Sequence, residues 1–275
     1  MPYVLAHDHY GKSRVRLVHV ARHPDRHDLK DLSLDIRLEG DFAATHLEGD
    51  NRSVLPTDTM KNTVYALARE HSVREIEPFA LLLADHFLKN NPQVTRASID
   101  AAERNWNRIG RFAYSAGPAE SRIAEIDATR DGARVTAGID NLIVLKTKGS
   151  GFEGYIHDRY TTLKETADRL FGTAIGARWT YDSGEVAYGP TWHTARKAIV
   201  DTFIEHESLS VQHTAYAMAE AALDAVAQIG EIRLALPNRH CLLVDLAPFG
   251  LDNPNEVFLP IDEPHGQIEI TVKRG

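Results

Sequence analysis

The sequence contains one cysteine, Cys241, and no long apolar run. A single cysteine forms no intrachain disulfide and supplies no thiolate cluster for a metal, which fits a reducing, intracellular setting. No stretch reaches the length of about 18 apolar residues that a membrane helix requires, and no basic-then-apolar segment predicts a signal peptide. The last residues, Lys273-Arg274-Gly275, differ from the peroxisomal Ser-Lys-Leu address. We therefore expect a cytoplasmic protein that does not bind membranes.

Positive charge is also in short supply. Lysine and arginine number 31 against 39 aspartates and glutamates, so the formal net charge is -8. A protein that binds DNA or RNA needs a dominant basic surface, so we expect no nucleic-acid partner. Cofactor motifs are missing too, because Gly149-Ser150-Gly151 lacks the lysine and the spacing of a phosphate loop. No Gly-x-Ser-x-Gly elbow is present for serine-hydrolase chemistry.

Histidine is plentiful, with 14 residues, yet the sequence predicts no metal centre. His7 and His9 could share one face of a strand, and His23 and His27 one face of a helix. Neither pair has cysteine partners or belongs to a His-Glu-x-x-His pattern, and both lie in polar segments. We interpret these histidines as solvated surface residues.

The hydrophobic pattern predicts an α+β fold made of hairpins and helices. Leucine and isoleucine alternate with polar residues over 32–38, and a strand-like run at 15–20 precedes a loop that contains Pro24, which together indicate an antiparallel hairpin. Helical spacing follows at 58–71, where Thr57 and Asp58 are suited to cap the first amides, and again at 77–90. Strand-like residues at 94–99 and 105–114 complete this half.

The second half repeats the order of the first. Asp131-Gly132 is a favoured hairpin turn. The predicted elements are strands at 122–129, 134–139 and 142–145, a helix at 160–172, a short strand at 179–181, a helix at 208–227, and strands at 231–236 and 241–246. The run at 59–63 is similar to the run at 162–166, so we predict two repeats, residues 1–135 and 136–275, over two unrelated α+β halves. Open sheet edges favour closure by oligomerisation.

Several polar and aromatic residues stand out, but each also fits an ordinary structural role. Phe152 lies in a glycine-flanked loop, where its ring is either free for stacking or folded into the core. Arg169 on the predicted helix fits a solvated or dipole-paired residue. Lys12 fits an ordinary surface lysine, and Thr57 fits a helix cap. Gln212 fits an exposed helix residue, and Asn238 and His240 fit turn residues.

Separated motifs together resemble the urate oxidase (uricase) family. They are Tyr10-Gly11-Lys12-Ser13-x-Val15-Arg16, the run from Thr57 to Tyr65, the run from Tyr160 to Arg169, Ser210-Val211-Gln212, Leu236-Pro237-Asn238-x-His240, and the stretch 244–258. The resemblance covers residues 10–273 and implies the tunnelling fold, in which each chain has two repeats of antiparallel hairpins and paired helices. It further implies homotetramers whose sheets close into barrels and whose active sites are shared between subunits.

The activity implied by this resemblance is oxidation of urate by O2 to 5-hydroxyisourate and hydrogen peroxide, with no metal and no organic cofactor. Arg169 and Gln212 resemble the pair that grips the purine edges, and Phe152 the ring that stacks on it. The resemblance also implies that the backbone of Val211 contacts the substrate and that Leu163 lines the pocket. Thr57 and Asp58 would supply amides from a neighbouring subunit, and Asn238 would hold O2 or water above the ring. Lys12, Thr57 and His240 together resemble a proton relay.

Other interpretations remain open beside this one. A sister enzyme of the same fold that acts on pterins needs zinc ligands or an anchoring glutamate, and no Cys/His set is present to bind the metal. A non-catalytic purine-binding scaffold needs Arg169, Gln212 and Phe152 but has no use for the relay.

Overall fold

The structure is a computed structural model that describes residues 3–182 and 185–275. The chain divides into two compact units, an N-terminal unit of Met1–Gly138 and a C-terminal unit of Ile139–Gly275. The division lies close to the expected boundary after residue 135. That each unit is a copy of one repeat stays a prediction.

The N-terminal unit is an antiparallel sheet with helices. Its strands are paired in the order in which they occur along the chain. They are β1 (Tyr10–Arg22), β2 (His27–Gly40), β3 (Val94–Arg108) and β4 (Tyr114–Thr129). The helices, all between β2 and β3, are α1 (Ala43–Glu48), α2 (Thr57–Glu70) and α3 (Ile76–Asn90).

The core of this unit follows from the alternation in β2. Its apolar residues Leu32, Leu34, Ile36 and Leu38 are at most 1% exposed, as the pattern predicts. Burying each such side chain contributes roughly 1.5–3 kcal/mol, so a shift of β2 by one residue, which would turn these side chains to the other face, would lose most of this energy. The helical stripes of α2 and α3 belong to the same cluster.

A β-bulge interrupts the pairing of β1 with β2. Lys12 lies opposite Ile36 and Val15 lies opposite Leu34, so β1 has one residue more than β2 over this interval. Arg14, inside the bulge, has a left-handed backbone with φ of 55°. Because residues directly opposite each other share a face of a sheet, Lys12 and Val15 both point to the face that carries the buried residues of β2.

A buried ion pair joins α3 to β4. The Arg122 guanidinium donates to both carboxylate oxygens of Glu77, at 2.6 and 3.2 Å, and Glu77 is fully buried. Burial raises the pKa of Glu77 above its ordinary value, while Arg122 acts in the opposite direction. Arg122 therefore supplies the counter-charge that a carboxylate requires in a low-dielectric interior.

The C-terminal unit has a second antiparallel arrangement, β6–β7–β10. Its elements are β6 (Phe171–Tyr181), α4 (Tyr188–Glu205), α5 (Val211–Ala225), β7 (Ile229–Pro237) and β10 (Gln267–Lys273), with a small hairpin-like pair of β8 (His240–Leu243) and β9 (Phe258–Ile261). Strand β5 (Gly132–Lys146) extends across the division between the units. None of the helices in the described part of the chain is long and apolar enough to cross a membrane.

The helix predicted at 160–172 is wrong. Residues 161–165 have no regular structure, and β6 begins at Phe171. The Asp158 carboxylate accepts hydrogen bonds from the Tyr160 amide (2.8 Å) and the Thr161 hydroxyl (3.0 Å), a local turn that competes with helix formation. The similarity between 59–63 and 162–166 consequently pairs a helix with a loop and does not align equivalent elements.

Helix α4 was not predicted from the sequence. Gly189 and Pro190 near its start favour a loop, and its N-cap residue makes no side-chain hydrogen bond. The signal that indicates the helix is the spacing of its buried residues Trp192, Ala195, Ile199 and Phe203.

Smaller differences concern element ends. The predicted break after residue 99 is absent, because β3 continues to Arg108, and β4 starts at Tyr114. The expected side-chain cap at Thr57 is wrong, since the N-cap is Pro56 and Thr57 is the first residue of α2. The helices at 58–71, 77–90 and 208–227 are confirmed as α2, α3 and α5 within a few residues.

Arg122→Met is expected to destabilise the protein by about 3–5 kcal/mol at neutral pH, because it leaves the Glu77 carboxylate buried without a counter-charge. The pKa of Glu77 in the folded variant then lies further above its unfolded value. The folded state therefore holds a proton that the unfolded chain has released, and the stability of the variant falls as pH rises above the ordinary glutamate range.

Urea unfolding at about pH 5 and about pH 8 measures this effect. The double variant Glu77→Gln/Arg122→Met is the control, because it has no buried acid and should lose the additional pH dependence. Equal stability losses for Arg122→Met at both pH values would contradict the prediction.

Candidate active site

Segments far apart in the C-terminal unit meet at a loop that contains Gly149 and Gly151. The Gly151 amide donates to the Ser208 carbonyl (2.7 Å), and the Ser208 amide donates back to the Gly149 carbonyl (3.0 Å). The Arg169 amide donates to the Ser150 carbonyl (2.7 Å). A side chain at position 151 would place its Cβ 3.0 Å from the Ala167 carbonyl oxygen, so glycine permits this close approach.

The loop is held further by Asp168. Its carboxylate accepts hydrogen bonds from the amides of Gly149 (2.8 Å) and Ser150 (3.4 Å), and its carbonyl accepts one from the Thr166 hydroxyl (2.8 Å). Phe152 and Thr166 exchange backbone hydrogen bonds of 2.8 and 3.2 Å. Sequence reasoning gave Asp168 no role, although it lies in the quoted motif directly before Arg169.

These contacts place a guanidinium beside an aromatic ring. The Cζ atom of Arg169 lies 5.1 Å from the centroid of the Phe152 ring, within cation–π range. Burial lowers the pKa of Arg169, and the Tyr155 phenol opposes this shift. A guanidinium stays protonated in proteins at neutral pH, so the site holds a fixed, half-desolvated positive charge.

A stack of rings supports Phe152 from within the same loop region. Tyr155 stacks on Phe152 with centroids 4.7 Å apart and an interplanar angle of 13°, and His157 stacks on Tyr155 at 4.8 Å and 19°. The Tyr155 hydroxyl donates to the Leu163 carbonyl at 2.7 Å. The spacing of aromatic residues at 152, 155 and 157 is the sequence signal for this stack, and it was not used in the sequence analysis.

A cavity of about 630 Å³ lies next to this arrangement. Its volume is within the range of sites that bind small molecules. The candidates on its wall are Leu163, Arg169, Val211, Asn238 and His240. The cavity wall thus brings together residues from four of the quoted motifs, since Asn255 and Phe258 of the stretch 244–258 also line it.

The start of α5 places Val211 and Gln212. Ser210 is the N-cap, and its hydroxyl accepts a hydrogen bond from the His213 amide at 3.1 Å. Val211 is buried, whereas Gln212 is exposed in the first turn. Amides of a first turn have no partner within their own helix, so this end of α5 is suited to polar contacts with a ligand.

Asn238 follows β7 directly, and its amide donates to the Gly266 carbonyl at 2.8 Å. Its side-chain oxygen is buried, and the described part of the chain offers it no hydrogen-bond partner. Leaving such an atom unsatisfied costs about 1–3 kcal/mol, so this oxygen is available to accept a hydrogen bond from a bound molecule. His240 begins β8, opposite Ile261 of β9.

The remaining candidates, Lys12, Thr57 and Asp58, lie in the N-terminal unit. The Asp58 carboxylate accepts hydrogen bonds from Lys61 (2.6 Å) and Asn62 (3.0 Å) in α2. The Lys61 hydrogen bond is the main reason that the pKa of Asp58 is lowered, and the charge of Lys12 adds to it. The Tyr10 hydroxyl accepts a hydrogen bond from the Leu55 amide at 2.9 Å, so the chain beside Lys12 lies close to the start of α2, and the structure places all candidates other than these three in the C-terminal unit.

The histidine pairs considered as metal ligands in the sequence lie in the N-terminal unit. Across residues 3–182 and 185–275, no three His, Cys, Asp or Glu side chains are grouped so that they could hold a metal ion. His7 and His9 have ring centroids 5.7 Å apart. His23 pairs with Asp28 at 3.1 Å near the end of the β1–β2 hairpin.

The antiparallel strands and the paired helices define a protein of the tunnelling fold, and Arg169, whose guanidinium lies beside the Phe152 ring, lines its cavity. Comparison with known proteins shows the family. The family model described as Uricase matches residues 8–130 and 135–269. The chain is 43% identical over 273 residues to the uricase of Arthrobacter globiformis, which covers 98% of this chain and 90% of that protein.

Two further comparisons agree. The uricase of Dictyostelium discoideum is 37% identical over 279 residues, covering 98% of this chain and 97% of that protein. A crystal structure of the Arthrobacter globiformis uricase matches with a TM-score of 0.96 at 43% identity, covering 100% of this chain and 96% of that one. The chain belongs to the uricase family, which confirms the resemblance found in its motifs.

Proposed function

We propose that this chain is a urate oxidase that converts urate, O2 and water to 5-hydroxyisourate and hydrogen peroxide. Urate gives up two electrons, O2 takes them up with two protons to form peroxide, and water supplies the new hydroxyl group. The observation that carries the proposal is the Arg169 guanidinium held 5.1 Å from the Phe152 ring centroid in a chain of the uricase family. A flat, anionic purine fits this combination of charge and ring.

Binding of urate in this proposal uses the C-terminal unit. Arg169 grips one edge of the purine with two charge-assisted hydrogen bonds, and Gln212 offers a donor and an acceptor to the other polar edge. Phe152 stacks on the ring, with Tyr155 packed against it at 4.7 Å. The Val211 amide and the Leu163 side chain complete this half of the pocket.

The N-terminal unit of a neighbouring subunit supplies the rest. Amides of Thr57 and Asp58 at the start of α2 bind the five-membered ring, because helix N-termini favour anions. The N-cap is Pro56, which has no amide hydrogen and no capping side chain, so no residue at the N-cap position competes for those amides. A site assembled from two chains requires an oligomer, which we propose to be a homotetramer whose sheets close into barrels.

Proton transfer and O2 activation are assigned to polar groups around the pocket. Lys12, the Thr57 hydroxyl and His240 relay protons, since urate has to lose a proton before it reduces O2 and peroxide has to gain them. Asn238 holds O2 or water above the ring, and its buried oxygen has a free acceptor position within the described residues. We further propose that no metal or organic cofactor takes part, and that the enzyme is cytoplasmic.

The test of the function is an assay without added cofactor. Protein treated with a chelator and dialysed should consume urate, followed by its absorbance, with one peroxide formed per urate. Turnover that appears only after a metal is added would contradict the cofactor-free mechanism. Binding of urate without any turnover would support the purine-binding scaffold, and turnover of a pterin with none of urate would support the sister enzyme.

The relay and the grip should respond differently to substitution. Lys12→Met is expected to lower kcat by about 10²-fold or more with urate affinity nearly unchanged, because it removes a proton-transfer group. Arg169→Ala should chiefly weaken binding of urate and of purine-like inhibitors, by about 1.5–3 kcal/mol for lost charged hydrogen bonds. Steady-state kinetics and inhibitor titration measure the two effects. Near-normal turnover of Lys12→Met would disprove the role of the lysine.

Sharing of the site between subunits predicts complementation. Subunits with Lys12→Met turn over slowly and subunits with Arg169→Ala bind urate weakly, so each variant has little activity at low urate concentration, but a mixed oligomer contains some sites in which both residues are intact. Unfolding and refolding the two variants together should restore activity, whereas refolding each alone should not. The double variant Lys12→Met/Arg169→Ala mixed with either single variant is the control. No gain in the mixture, with mixed oligomers verified by mass spectrometry, would place each site within one chain.

A further inference from the structure

The bulge in β1 decides on which face of the sheet Lys12 lies. Side chains of a regular strand alternate, so residues 12 and 15 would point to opposite faces. The additional residue between them reverses this relation, and Lys12 shares a face with Val15, opposite the buried Ile36 and Leu34. The same face carries α2, whose first residues are Thr57 and Asp58.

Something has to hold the bulge, because its backbone is unfavourable. Arg14 has a φ of 55°, a conformation that residues other than glycine, asparagine and aspartate rarely adopt. A residue in a bulge also loses its regular partner in the ladder. Asp35 supplies the missing partner, since its carboxylate accepts a hydrogen bond from the Arg14 amide at 2.6 Å.

The chain on the other side of Lys12 is fixed by backbone contact. A Cβ at Gly11 would lie 1.7 Å from the Ile36 carbonyl oxygen, so β1 approaches β2 more closely here than any side chain allows. Lys12 is therefore held between two constraints, the close approach at Gly11 and the Asp35 hydrogen bond at Arg14. The close approach at Gly11 involves backbone atoms, whereas the hydrogen bond at Arg14 depends on the Asp35 side chain. That side chain contacts no atom of the proposed substrate.

We propose that Asp35 is a positioning residue for Lys12, which it directs toward the start of α2 by accepting the Arg14 amide and so maintaining the bulge. The inference rests on the proposed role of Lys12 as a proton-transfer group. The Asp35 side chain lies on one face of the sheet and Lys12 on the other, so Asp35 would act on Lys12 through the backbone of β1. The influence of the Lys12 charge on the pKa of Asp58 agrees with this placement.

Substitutions at position 35 test the hydrogen bond. Asp35→Ala removes the acceptor and is expected to lower kcat by about tenfold or more with KM for urate nearly unchanged, since a misplaced reacting group costs rate rather than binding. Asp35→Asn retains a carbonyl oxygen that accepts the amide and should keep most of the turnover. Asp127→Ala, which removes a β4 carboxylate that is paired with Arg96 of β3, is the matched control and should change kcat by no more than about twofold.

A double-variant cycle shows whether the effect passes through Lys12. In the Lys12→Met background, Asp35→Ala should cause no further loss of kcat, because there is no lysine left to position. A general structural defect would instead add its loss to that of Lys12→Met. Full turnover of Asp35→Ala while Lys12→Met is inactive would overturn the inference and leave the proposed function intact. Full turnover of Lys12→Met would overturn the proposed relay itself.

A second pair of variants keeps the test decisive if Asp35→Ala does not assemble. Arg14→Gly accepts the left-handed backbone and should retain turnover, whereas Arg14→Val disfavours it and should lose kcat as Asp35→Ala does. The Arg14 side chain is exposed, so the two changes differ mainly in backbone preference. Equal turnover of the two Arg14 variants, with the oligomer verified by sedimentation, would overturn the inference.

Discussion

The backbone hydrogen bonds among the 149–152 loop, the 166–169 segment and Ser208 are the constraint on which the pocket depends. Phe152, Arg169 and Val211 are far apart in the sequence, and these bonds bring their segments into direct contact. Glycine at 151 is what permits the approach, and Asp168 fixes it by accepting two amides. Rigid loops of this kind can hold a planar ligand and a charged group at one separation.

The two units divide the chemistry in a way that follows from their local structure. The C-terminal unit has the ring, the guanidinium and the buried carboxamide oxygen, which suit recognition of a flat polar anion. The N-terminal unit has a helix start with Lys12 close to it, which suits neutralising charge and moving protons. In the function that we propose, catalysis therefore requires surfaces of different subunits, and assembly becomes part of the active site rather than a means of stability alone.

Much of the fold was predictable because local patterns determine it. The alternation in β2 and the stripes of α2, α3 and α5 appear in the sequence as they do in the structure. Two predictions failed because a local signal competed with the observed structure. The turn that Asp158 forms replaces the helix predicted at 160–172, and the Gly189-Pro190 pair favoured a loop where α4 begins. The site residues came from similarity of motifs, since their types alone fit ordinary roles. Asp168 and Asp35 escaped prediction because they accept hydrogen bonds from backbone amides 19 and 21 residues away, whereas the partner of Tyr155, Phe152, is close in the sequence.

The bulge at Lys12 also bears on how such a chain tolerates changes in length. A hairpin end such as the one between Arg22 and His27 accepts inserted residues, because neither strand is shifted relative to its neighbour. Between Lys12 and Val15 a single deletion would remove the extra residue and with it the bulge, and the even separation that remains would keep the amine on the same face of a regular strand. A change that straightens β1 without removing a residue would instead turn the amine to the far side of the sheet, so at Ser13 and Arg14 the backbone conformation is under tighter constraint than the number of residues.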